Sequence, residues 1–502
     1  MPTTEDPVSA TVPAPRSHRR TRRVPAPVAV VAASLPVFMA TLDNLVVTGA
    51  LPVLHDDLGA SLGQLQWVVN AFTLSFASLM LVAAAAGDRW GRRRVFLGGL
   101  AVFTLASIGA ALATTPEVLI AARAVQGAGA AAITPLSLAL VAGAVSPERR
   151  SAAIGIWGGV TGLGVALGPV IGGAVIDGLS WHWIFWLNVP VAVVAVPLIL
   201  WALPGTRGVR TALDVPGAVL GGGAVFGIVW AVVHAEADGW GSARVLVPLL
   251  GGLALLAAFV QRQRTAAAPL LPLRLFRSRS FSVANAMMFF FTLGAMGSVF
   301  LLTQHLQVAM GYSPLGAGVR TLPWTAMPML LAPVAGAVAG RTGPRPVLLG
   351  GLAASAAGLA LLATATTATA TYADLVPGLV LAGIGMSLVF APSATAVLAD
   401  LDAADHATAS STNNTLREIG VALGVVLLTL VFEGGGGDLS PAGFVAGTPG
   451  AVYAGAGAVA LAGLIALALP RRRSAARGAG ADPAGGLVQT GRAVPSAAAA
   501  SS

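Results

Sequence analysis

The sequence contains no cysteine and no lysine among its 502 residues. The absence of cysteine excludes a disulfide-stabilised secreted domain and any site built on a thiolate. The absence of lysine excludes a Walker A motif, which requires one, so ATP hydrolysis is not the energy source. Charged residues make up only 10% of the chain, against about 25% in a soluble domain. So small a polar fraction cannot cover the surfaces of several soluble domains.

Apolar residues and glycine are abundant instead. Hydrophobic residues account for 56% of the chain, glycine occurs 62 times, and the mean hydropathy is +0.82, which is typical of a polytopic helical membrane protein. Because a bilayer core is about 30 Å thick, a spanning helix needs roughly 20 apolar residues. The sequence predicts fourteen such helices, over residues 27–51, 65–86, 95–114, 117–142, 151–176, 183–203, 215–234, 245–261, 281–306, 316–339, 346–365, 375–398, 409–431 and 450–469.

The arginines favour one orientation of these helices. Cytoplasmic loops of membrane proteins are enriched in basic residues. With the N-terminus inside, the arginine clusters fall on the inner side, while the outer loops carry Arg244 alone. We therefore expect both termini to be cytoplasmic, and the net charge of +9 to reflect topology rather than nucleic-acid binding.

The division of the chain follows from the helices and from a faint internal repeat. The segment 91–99 (GRRRVFLGG) is echoed by 343–351 (GPRPVLLGG), as in the two similar halves of a transporter; chance similarity between glycine-rich helices is the alternative. We expect an all-α membrane protein with two six-helix bundles and two extra central helices. Its parts are a disordered cytoplasmic tail over 1–26, the N-terminal bundle over 27–203, the inserted helices and a cytoplasmic linker over 204–280, the C-terminal bundle over 281–470, and a disordered tail over 471–502.

The first inner loop is a candidate gate. It contains Gly87, Asp88, Gly91, Arg92 and Arg93. Glycine permits the positive φ of a tight turn, and the acid and the arginines can form charge-assisted bonds that hold one conformation and break in another. The alternative is ordinary positive-inside charge.

Asp43 is the most informative residue in the sequence. An ionised acid in the middle of a membrane helix costs about 2.5–3.5 kcal/mol to insert, so it is normally paired or protonated for part of a cycle. At 1.5 Å per residue, Asp43 lies roughly 13 Å from the outer end of its helix and Arg123 roughly 9 Å from the outer end of the fourth, so the two can pair. We expect Asp43 to exchange protons and Arg123 to favour its charged form; a static pair that fixes helix packing is the alternative.

Arg417 and Glu418 are further proton-coupling candidates, in the thirteenth predicted helix. Adjacent residues on a helix do not face each other, so we expect that these two do not neutralise one another and that one of them faces a cavity. Glu418 is then either a second proton or cation site or part of a structural pair with another helix.

The fifth predicted helix has the features of a hinge. Gly164, Gly168 and Gly172 are four residues apart and form a face on which another helix can approach closely. Pro169 removes a helical hydrogen bond. Together with Gly173, these residues predict a hinge and a dry seal against the other half of the protein; ordinary glycine-mediated packing is the alternative.

Polar and aromatic side chains within the predicted helices are candidates for lining a substrate cavity. For each of them, packing inside the bundle is the alternative. The candidates are Asn44, Trp67, Asn70, Trp157, Phe290, Gln304 and Trp324.

Five segments of the first half resemble the motifs of one family, in the order in which that family has them. They are 42–52 (LDNLVVTGALP), 66–72 (QWVVNAF), 87–94 (GDRWGRRR), 123–129 (RAVQGAG) and 164–173 (GVALGPVIGG). They resemble the first-helix, second-helix, loop 2–3, fourth-helix and fifth-helix "antiporter" motifs of the fourteen-helix drug:proton antiporters of the major facilitator superfamily. The second half is similar in helix count and, weakly, at 414–420 (NTLREIG).

The resemblance implies a proton-coupled secondary transporter of the bacterial plasma membrane, which exports amphipathic drugs or antibiotics by alternating access. It implies no cofactor beyond the proton gradient. The expected partners are a small amphipathic substrate, protons and the lipid bilayer, with no nucleic acid, and the expected state is a monomer. An exporter or importer of a native metabolite, siderophore or lipid is the alternative. A membrane enzyme would need a polar catalytic set, and none stands out.

Overall fold

A computed structural model of the protein describes residues 25–145, 150–203, 205, 214–267, 269–402 and 405–470. The predicted tail over 471–502, nearly all of the tail over 1–26, and residues 206–213 of the predicted insert lie outside this part. Within it, every regular element is a helix.

The helices follow the order predicted from the apolar runs. The first half contains α1 (Ala26–Leu58), α2 (Leu62–Trp90), α3 (Arg92–Ala111), α4 (Pro116–Ala144), α5 (Arg150–Gly178), α6 (His182–Trp186) and α7 (Asn188–Ala202). The insert contains α8 (Val215–Asp238) and α9 (Ala243–Thr265). The second half contains α10 (Arg279–Val308), α11 (Pro314–Thr325), α12 (Met327–Thr342), α13 (Pro344–Ala365), α14 (Tyr372–Leu398), α15 (His406–Gly434) and α16 (Pro441–Ala466).

Twelve segments of the described chain are long and apolar enough to cross a bilayer. In that set, α6 with α7 and α11 with α12 each form one segment. Helices α2 and α5 are not in the set, although each contains 29 residues. The structure therefore establishes a multi-pass helical protein, and the count of fourteen spans stays a prediction.

The internal repeat has a counterpart in the turns between helices. Gly91 joins α2 to α3 with a φ of 100°, and Gly343 joins α12 to α13 with a φ of 87°. Side chains other than glycine rarely adopt such values. The two echoed segments thus begin at turns of the same kind.

The repeat also extends to the packing of α4 in the first half. A Cβ atom added at Gly127 would lie 2.2 Å from the Phe72 carbonyl oxygen in α2, and one at Gly129 would lie 2.6 Å from the Phe103 amide nitrogen in α3. Helix α4 therefore packs against two neighbours at distances that admit no side chain.

Helix α14 packs in the same way in the second half. A Cβ atom at Gly383 would lie 2.7 Å from the Pro323 carbonyl oxygen in α11, and one at Gly385 would lie 2.4 Å from the Ser355 amide nitrogen in α13. The two halves are therefore similar in how closely their helix backbones approach one another, as well as in sequence.

The inserted helices form a hairpin beside the seam between the two halves. Helix α8 packs against α2 and α15 through a cluster of aliphatic side chains, Leu74, Val229, Val232, Ala422 and Val426. Helix α9 packs on α8 and leaves most of its apolar surface exposed, which is the surface expected to face lipid.

Asp214 ties the two ends of this hairpin together. Its carboxylate accepts hydrogen bonds from the Gly217 amide at 3.1 Å, Arg262 Nε at 2.9 Å and Gln263 Nε2 at 3.0 Å. Burial acts to raise the pKa of the Asp214 carboxyl, but the three donors and the arginine charge outweigh it and hold that pKa below its ordinary value. The start of α8 and the end of α9 are therefore linked through a charged carboxylate at neutral pH.

The arginines and the acids are unevenly distributed between the two ends of the helix bundle. We call one the basic end, where α3, α10 and α13 begin with Arg92, Arg279 and Pro344. There, Arg279 Nε donates to the Ala468 carbonyl at 2.9 Å, and Arg345 Nη2 donates to the Leu467 carbonyl at 2.8 Å, both just beyond the end of α16. We call the other the acidic end, where α1, α5 and α10 end near Asp56, Asp57 and Asp177.

The two halves meet closely at the acidic end. A Cβ atom at Gly173 in α5 would lie 2.4 Å from Leu315 Cα, and one at Gly318 in α11 would lie 2.1 Å from the Pro169 carbonyl oxygen. The Leu315 amide donates to Asp177 at 3.1 Å. Nearer the basic end, a Cβ atom added at Gly159 in α5 or at Gly336 in α12 would meet no atom within 4 Å.

Gly127 provides a test of the helix packing. Alanine is about 1 kcal/mol more favourable than glycine inside a helix, but at Gly127 its methyl group would overlap the Phe72 carbonyl oxygen. We expect Gly127→Ala to lower the melting temperature of the protein in detergent, followed by tryptophan fluorescence. The matched control is Gly109→Ala, whose methyl group would lie 3.9 Å from Ala122 Cβ. It should leave the melting temperature unchanged or raise it; equal melting of the two variants would contradict this packing.

Candidate functional site

A buried ion pair lies inside the first half. The Asp43 carboxylate, near the middle of α1, accepts a hydrogen bond from Arg123 Nη1 of α4, and both side chains are fully buried. The structure thus places in contact the two residues whose depths along their helices were expected to match. The proton-exchange role of Asp43 stays a prediction.

Two amides and a hydroxyl complete the surroundings of this pair. Asn188 Nδ2 donates to Asp43 Oδ1 at 2.7 Å, and Gln126 Nε2 lies 3.3 Å from the same oxygen. Both amides also reach Ser107 Oγ, at 3.2 and 2.8 Å respectively. The carboxylate therefore collects donors from α4 and α7, while Ser107 contributes a contact from α3.

Arg123 is held by contacts besides Asp43. Its Nε donates to the Val68 carbonyl of α2 at 3.2 Å, and its Nη1 donates to Gln126 Oε1 at 3.0 Å. The guanidinium carbon lies 4.4 Å from the centre of the Phe72 ring, a distance at which the ring face attracts a cation. Loss of the Asp43 charge would therefore leave Arg123 with acceptors on α2 and α4.

Sequence reasoning missed two members of this network and underused a third. Ser107 and Asn188 were not among the candidates, and Gln126 was recognised only as part of a motif. The signal for Asn188 was its position at the start of an apolar helix, since polar residues inside membrane segments are rare and face a functional interior. Nothing in the sequence says that Ser107 lies beside Asp43.

The prediction that Arg417 and Glu418 do not pair is wrong. Arg417 Nη2 donates to Glu418 Oε1 at 2.9 Å, and Glu418 is buried. The spacing rule concerns the directions in which Cβ atoms point, whereas the long arginine side chain folds back along its own helix. Arg417 also lies 5.9 Å from the centre of the Phe390 ring on α14.

The candidate gate is described except for the Asp88 side chain, which lies outside the described part. A Cβ atom at Gly87 would lie 2.3 Å from Leu136 Cδ2, so this glycine lets α2 pack on α4. Arg93 Nη1 donates to the Leu203 carbonyl at 2.8 Å, which ties the start of α3 to the end of α7 in the same half. The Arg92 side chain is half-buried. A gating role for this loop stays a prediction.

The glycines of α5 face two different partners. Cβ atoms added at Gly164, Gly168 and Gly172 would contact α1. The one at Gly172 would lie only 2.6 Å from Val46 Cγ1. The expected seal of this face against the other half is therefore wrong, because the face packs within the first half. Pro169 and Gly173 make the contact with α11 instead. Whether α5 acts as a hinge stays a prediction.

The candidate lining residues do not converge on a single place. Trp67 packs against Phe226 and Trp230 of the insert, with ring centres 6.1 and 5.5 Å away. Trp157 Nε1 donates to Ser137 Oγ at 2.9 Å. These two aromatic residues make packing contacts in the described structure.

The other candidates differ from these two in their burial and in their hydrogen bonding. Asn70 is fully buried, and both of its amide atoms lack a hydrogen-bond partner within the described part, as does Trp324 Nε1. Asn44 and Phe290 are half-buried, on α1 and α10. Gln304 lies at the acidic end. In the described ranges, no group of three or more His, Asp or Glu could hold a metal ion.

Comparison with known proteins gives consistent matches. A model of the Major Facilitator Superfamily matches residues 34–425 and, separately, 288–493. The tetracenomycin C resistance and export protein of Streptomyces glaucescens is 34% identical over 445 residues, 87% of this chain and 81% of the relative. A cephamycin export protein of Amycolatopsis lactamdurans is 37% identical over 435 residues, 86% of this chain and 89% of the relative.

Solved structures show the same fold at low identity. A peptide transporter POT in complex with sulfate matches with a TM-score of 0.64 at 19% identity, covering 88% of this chain and 94% of the other. The xylose transporter XylE from E. coli matches with a TM-score of 0.62 at 13% identity, covering 89% and 98%. These likenesses concern the arrangement of helices alone.

The buried pair of Asp43 and Arg123 leads to a prediction about the unfolding free energy of the protein. Removing one partner of a buried ion pair leaves an uncompensated charge and costs about 3–5 kcal/mol, so Asp43→Asn and Arg123→Gln should each lower the unfolding free energy in detergent. The double variant should lose less than the sum, because neither charge remains. The exposed pair of Asp238 and Arg244 is the control: its single variants should lose little, since solvent screens exposed pairs. Additive losses at Asp43 and Arg123 would contradict the coupling.

Proposed function

Since this chain belongs to the major facilitator superfamily, we propose that it exports antibiotic-like, amphipathic compounds across the bacterial plasma membrane in exchange for protons. Members of this family are transport proteins, not enzymes. The names of its relatives, which include antibiotic export and multidrug resistance proteins, support this choice of cargo. The observation that carries the proposal is the buried network around Asp43.

Asp43 has the surroundings that a proton carrier needs. Its carboxylate is buried in an apolar bundle and accepts hydrogen bonds from Arg123 and from two amides. Binding of a proton would remove the negative charge and with it the electrostatic link between α1 and α4. Arg123 would keep its bonds to Val68 and Gln126. Protonation is thereby coupled to how tightly α1 is held by its neighbours.

Alternating access is the way in which such a change would move cargo. Close contacts between the halves lie at the acidic end, through Gly173, Gly318 and Asp177. Because basic residues favour the cytoplasmic side, we assign the basic end to the cytoplasm. In this conformation the protein would accept cargo from inside the cell.

The proton gradient can drive such an exchange. One proton moving through 100 mV releases about 2.3 kcal/mol, before any contribution from a pH difference. No cofactor enters this scheme, and we propose a monomer with both termini in the cytoplasm. The partners are then the cargo, protons and the surrounding lipid.

Proton exchange at Asp43 is tested in energised inverted vesicles that contain the full chain. The internal pH is followed with an acridine dye that is quenched on acidification, while tetracenomycin C, a cephamycin, puromycin and a set of amphipathic cations are added in turn. We expect at least one compound to cause dequenching, and Asp43→Asn to abolish it, because a neutral amide can neither bind nor release the proton. The control is Asp238→Asn, an acid at the end of α8.

The outcomes separate the parts of this proposal. Dequenching that survives in Asp43→Asn would remove Asp43 from the proton pathway and leave antiport standing. If no compound causes a response while the protein is folded and present, the assignment of proton-driven drug export fails. Loss of the response in the Asp238→Asn control would show that the assay reports on protein quality rather than on the buried site.

Glu418 gives a second test of where the proton binds. Its partner, Arg417, is the adjacent residue on the same helix, so protonation of Glu418 would break no bond to a second helix. We expect Glu418→Gln to retain most of the dequenching that Asp43→Asn loses in the same vesicles. A complete loss in Glu418→Gln, with normal protein levels, would make Glu418 part of the proton pathway.

A further inference from the structure

Ser107 of α3 fixes the direction in which two neighbouring amides point. Its side chain is fully buried, and its hydroxyl donates to the Phe103 carbonyl at 2.8 Å. A hydroxyl has one hydrogen and a carbonyl has none to give, so Ser107 Oγ can only accept from its other neighbours. Those neighbours are Gln126 Nε2 at 2.8 Å and Asn188 Nδ2 at 3.2 Å. Both amides must therefore turn their NH₂ groups, and not their oxygens, towards Ser107.

The same two NH₂ groups reach Asp43. Each has a second hydrogen, and Asp43 Oδ1 lies 2.7 Å from Asn188 Nδ2 and 3.3 Å from Gln126 Nε2. The other carboxylate oxygen, Oδ2, accepts from Arg123 Nη1. In the described structure, every hydrogen bond to this carboxylate thus comes from a donor. Ser107 makes none of these bonds itself and acts on Asp43 through the amides.

A protonated Asp43 would need an acceptor that these neighbours do not present. A carboxyl group that has taken up a proton donates through its O–H. Gln126 is prevented from turning, because its Oε1 accepts from Arg123 Nη1 at 3.0 Å. The side-chain bonds of Asn188 in the described structure all run through its Nδ2, so Asn188 is the amide that can turn. Turning would place its oxygen against Ser107 Oγ, where two acceptors would face each other without a hydrogen.

Arg123 is the one charged group in contact with Asp43 in the described structure. Every other ionisable residue on α1 to α7 lies in the first or last turn of its helix. Helices α10 and α11 also contact α1. They contribute His305, in the last turn of α10, and Arg320, whose guanidinium carbon lies 3.7 Å from the centre of the Tyr312 ring. The groups that respond directly to a proton on Asp43 are therefore Arg123 and the two amides.

We infer that Ser107 sets the pH at which Asp43 takes up a proton, as a positioning residue that acts through Asn188. The serine holds the Asn188 amide with its NH₂ group towards the carboxylate and so opposes the turn that a protonated carboxyl group would require. This role rests on the proposed proton binding at Asp43, and it identifies the residue that adjusts that binding. Without the hydroxyl, Asp43 should take up its proton at a higher pH.

Infrared difference spectroscopy of the full chain in lipid nanodiscs tests this role without cargo or a proton gradient. As the pH is lowered, the C=O stretching band of protonated carboxyl groups develops, and the part that is missing in Asp43→Asn belongs to Asp43. We expect Ser107→Ala to raise the pH at which this part is half developed by about one unit, a roughly tenfold gain in proton affinity. The reason is that Asn188 can then offer its oxygen to the carboxyl group.

Ser137→Ala is the matched control. Ser137 of α4 is also fully buried, its hydroxyl donates to the Ala33 carbonyl of α1 at 2.6 Å, and it accepts from Trp157 Nε1 at 2.9 Å. Its loss removes a serine hydroxyl of the same kind from the same half and leaves the neighbours of Asp43 in place. The half-development pH should stay unchanged. A shift as large as that in Ser107→Ala would mean that the band reports looser packing, and would overturn the role of Ser107.

Asn188→Leu tests whether Ser107 acts through the amide. This variant removes a donor to the carboxylate and should itself raise the half-development pH. Ser107→Ala should then add little on the Asn188→Leu background, because the serine has no amide left to orient there. Additive shifts would contradict the coupling. Ser107→Cys, whose thiol is a weak hydrogen-bonding group, should shift the pH in the same direction and replaces Ser107→Ala if that variant does not fold.

The failure of this role and the failure of the proposed proton site are distinguishable. If the Asp43 band develops at the same pH in the unchanged protein and in Ser107→Ala, the role of Ser107 is overturned and the proton site stands. If no Asp43 band develops at any pH at which the protein stays folded, Asp43 takes up no proton, and both proposals are overturned.

Discussion

The buried pair of Asp43 and Arg123 is the constraint around which the first half is arranged. A charged carboxylate in an apolar bundle is tolerated only if donors surround it. Here the donors and contacts come from α3, α4 and α7, and Arg123 is in turn bound to α2. Five helices of the first half therefore meet at one charge. A change in that charge would act on all of them, as the proton binding that we propose requires.

The second half repeats this scaffold without repeating its chemistry. The close approaches at Gly127 and Gly129 correspond to those at Gly383 and Gly385. Yet α10, which takes the place of α1 in the repeat, contains no acidic residue. Its polar groups near the acidic end are amides and a histidine. The proton site that we propose at Asp43 therefore has no counterpart on α10.

The sequence predicts well what depends on position along a single helix. The apolar runs, the turn at Gly91 and the matching depths of Asp43 and Arg123 all follow from lengths and from residue types. It predicts poorly what depends on which helices become neighbours. Ser107 and Asn188 join the site only because α3 and α7 pack beside α1. Likewise, the pairing of Arg417 with Glu418 depends on a side-chain rotamer, which a rule about Cβ directions does not fix.

The inserted hairpin places a condition on any movement between the halves. Helix α8 contacts α2 of the first half and α15 of the second through aliphatic side chains. Hydrophobic contacts of this kind are not directional, so a shift of α8 along one of these helices would break no directional bond. The Asp214 bonds to Arg262 and Gln263 hold the two helices of the hairpin together. The rocking of the halves that we propose would therefore leave the hairpin intact across the seam.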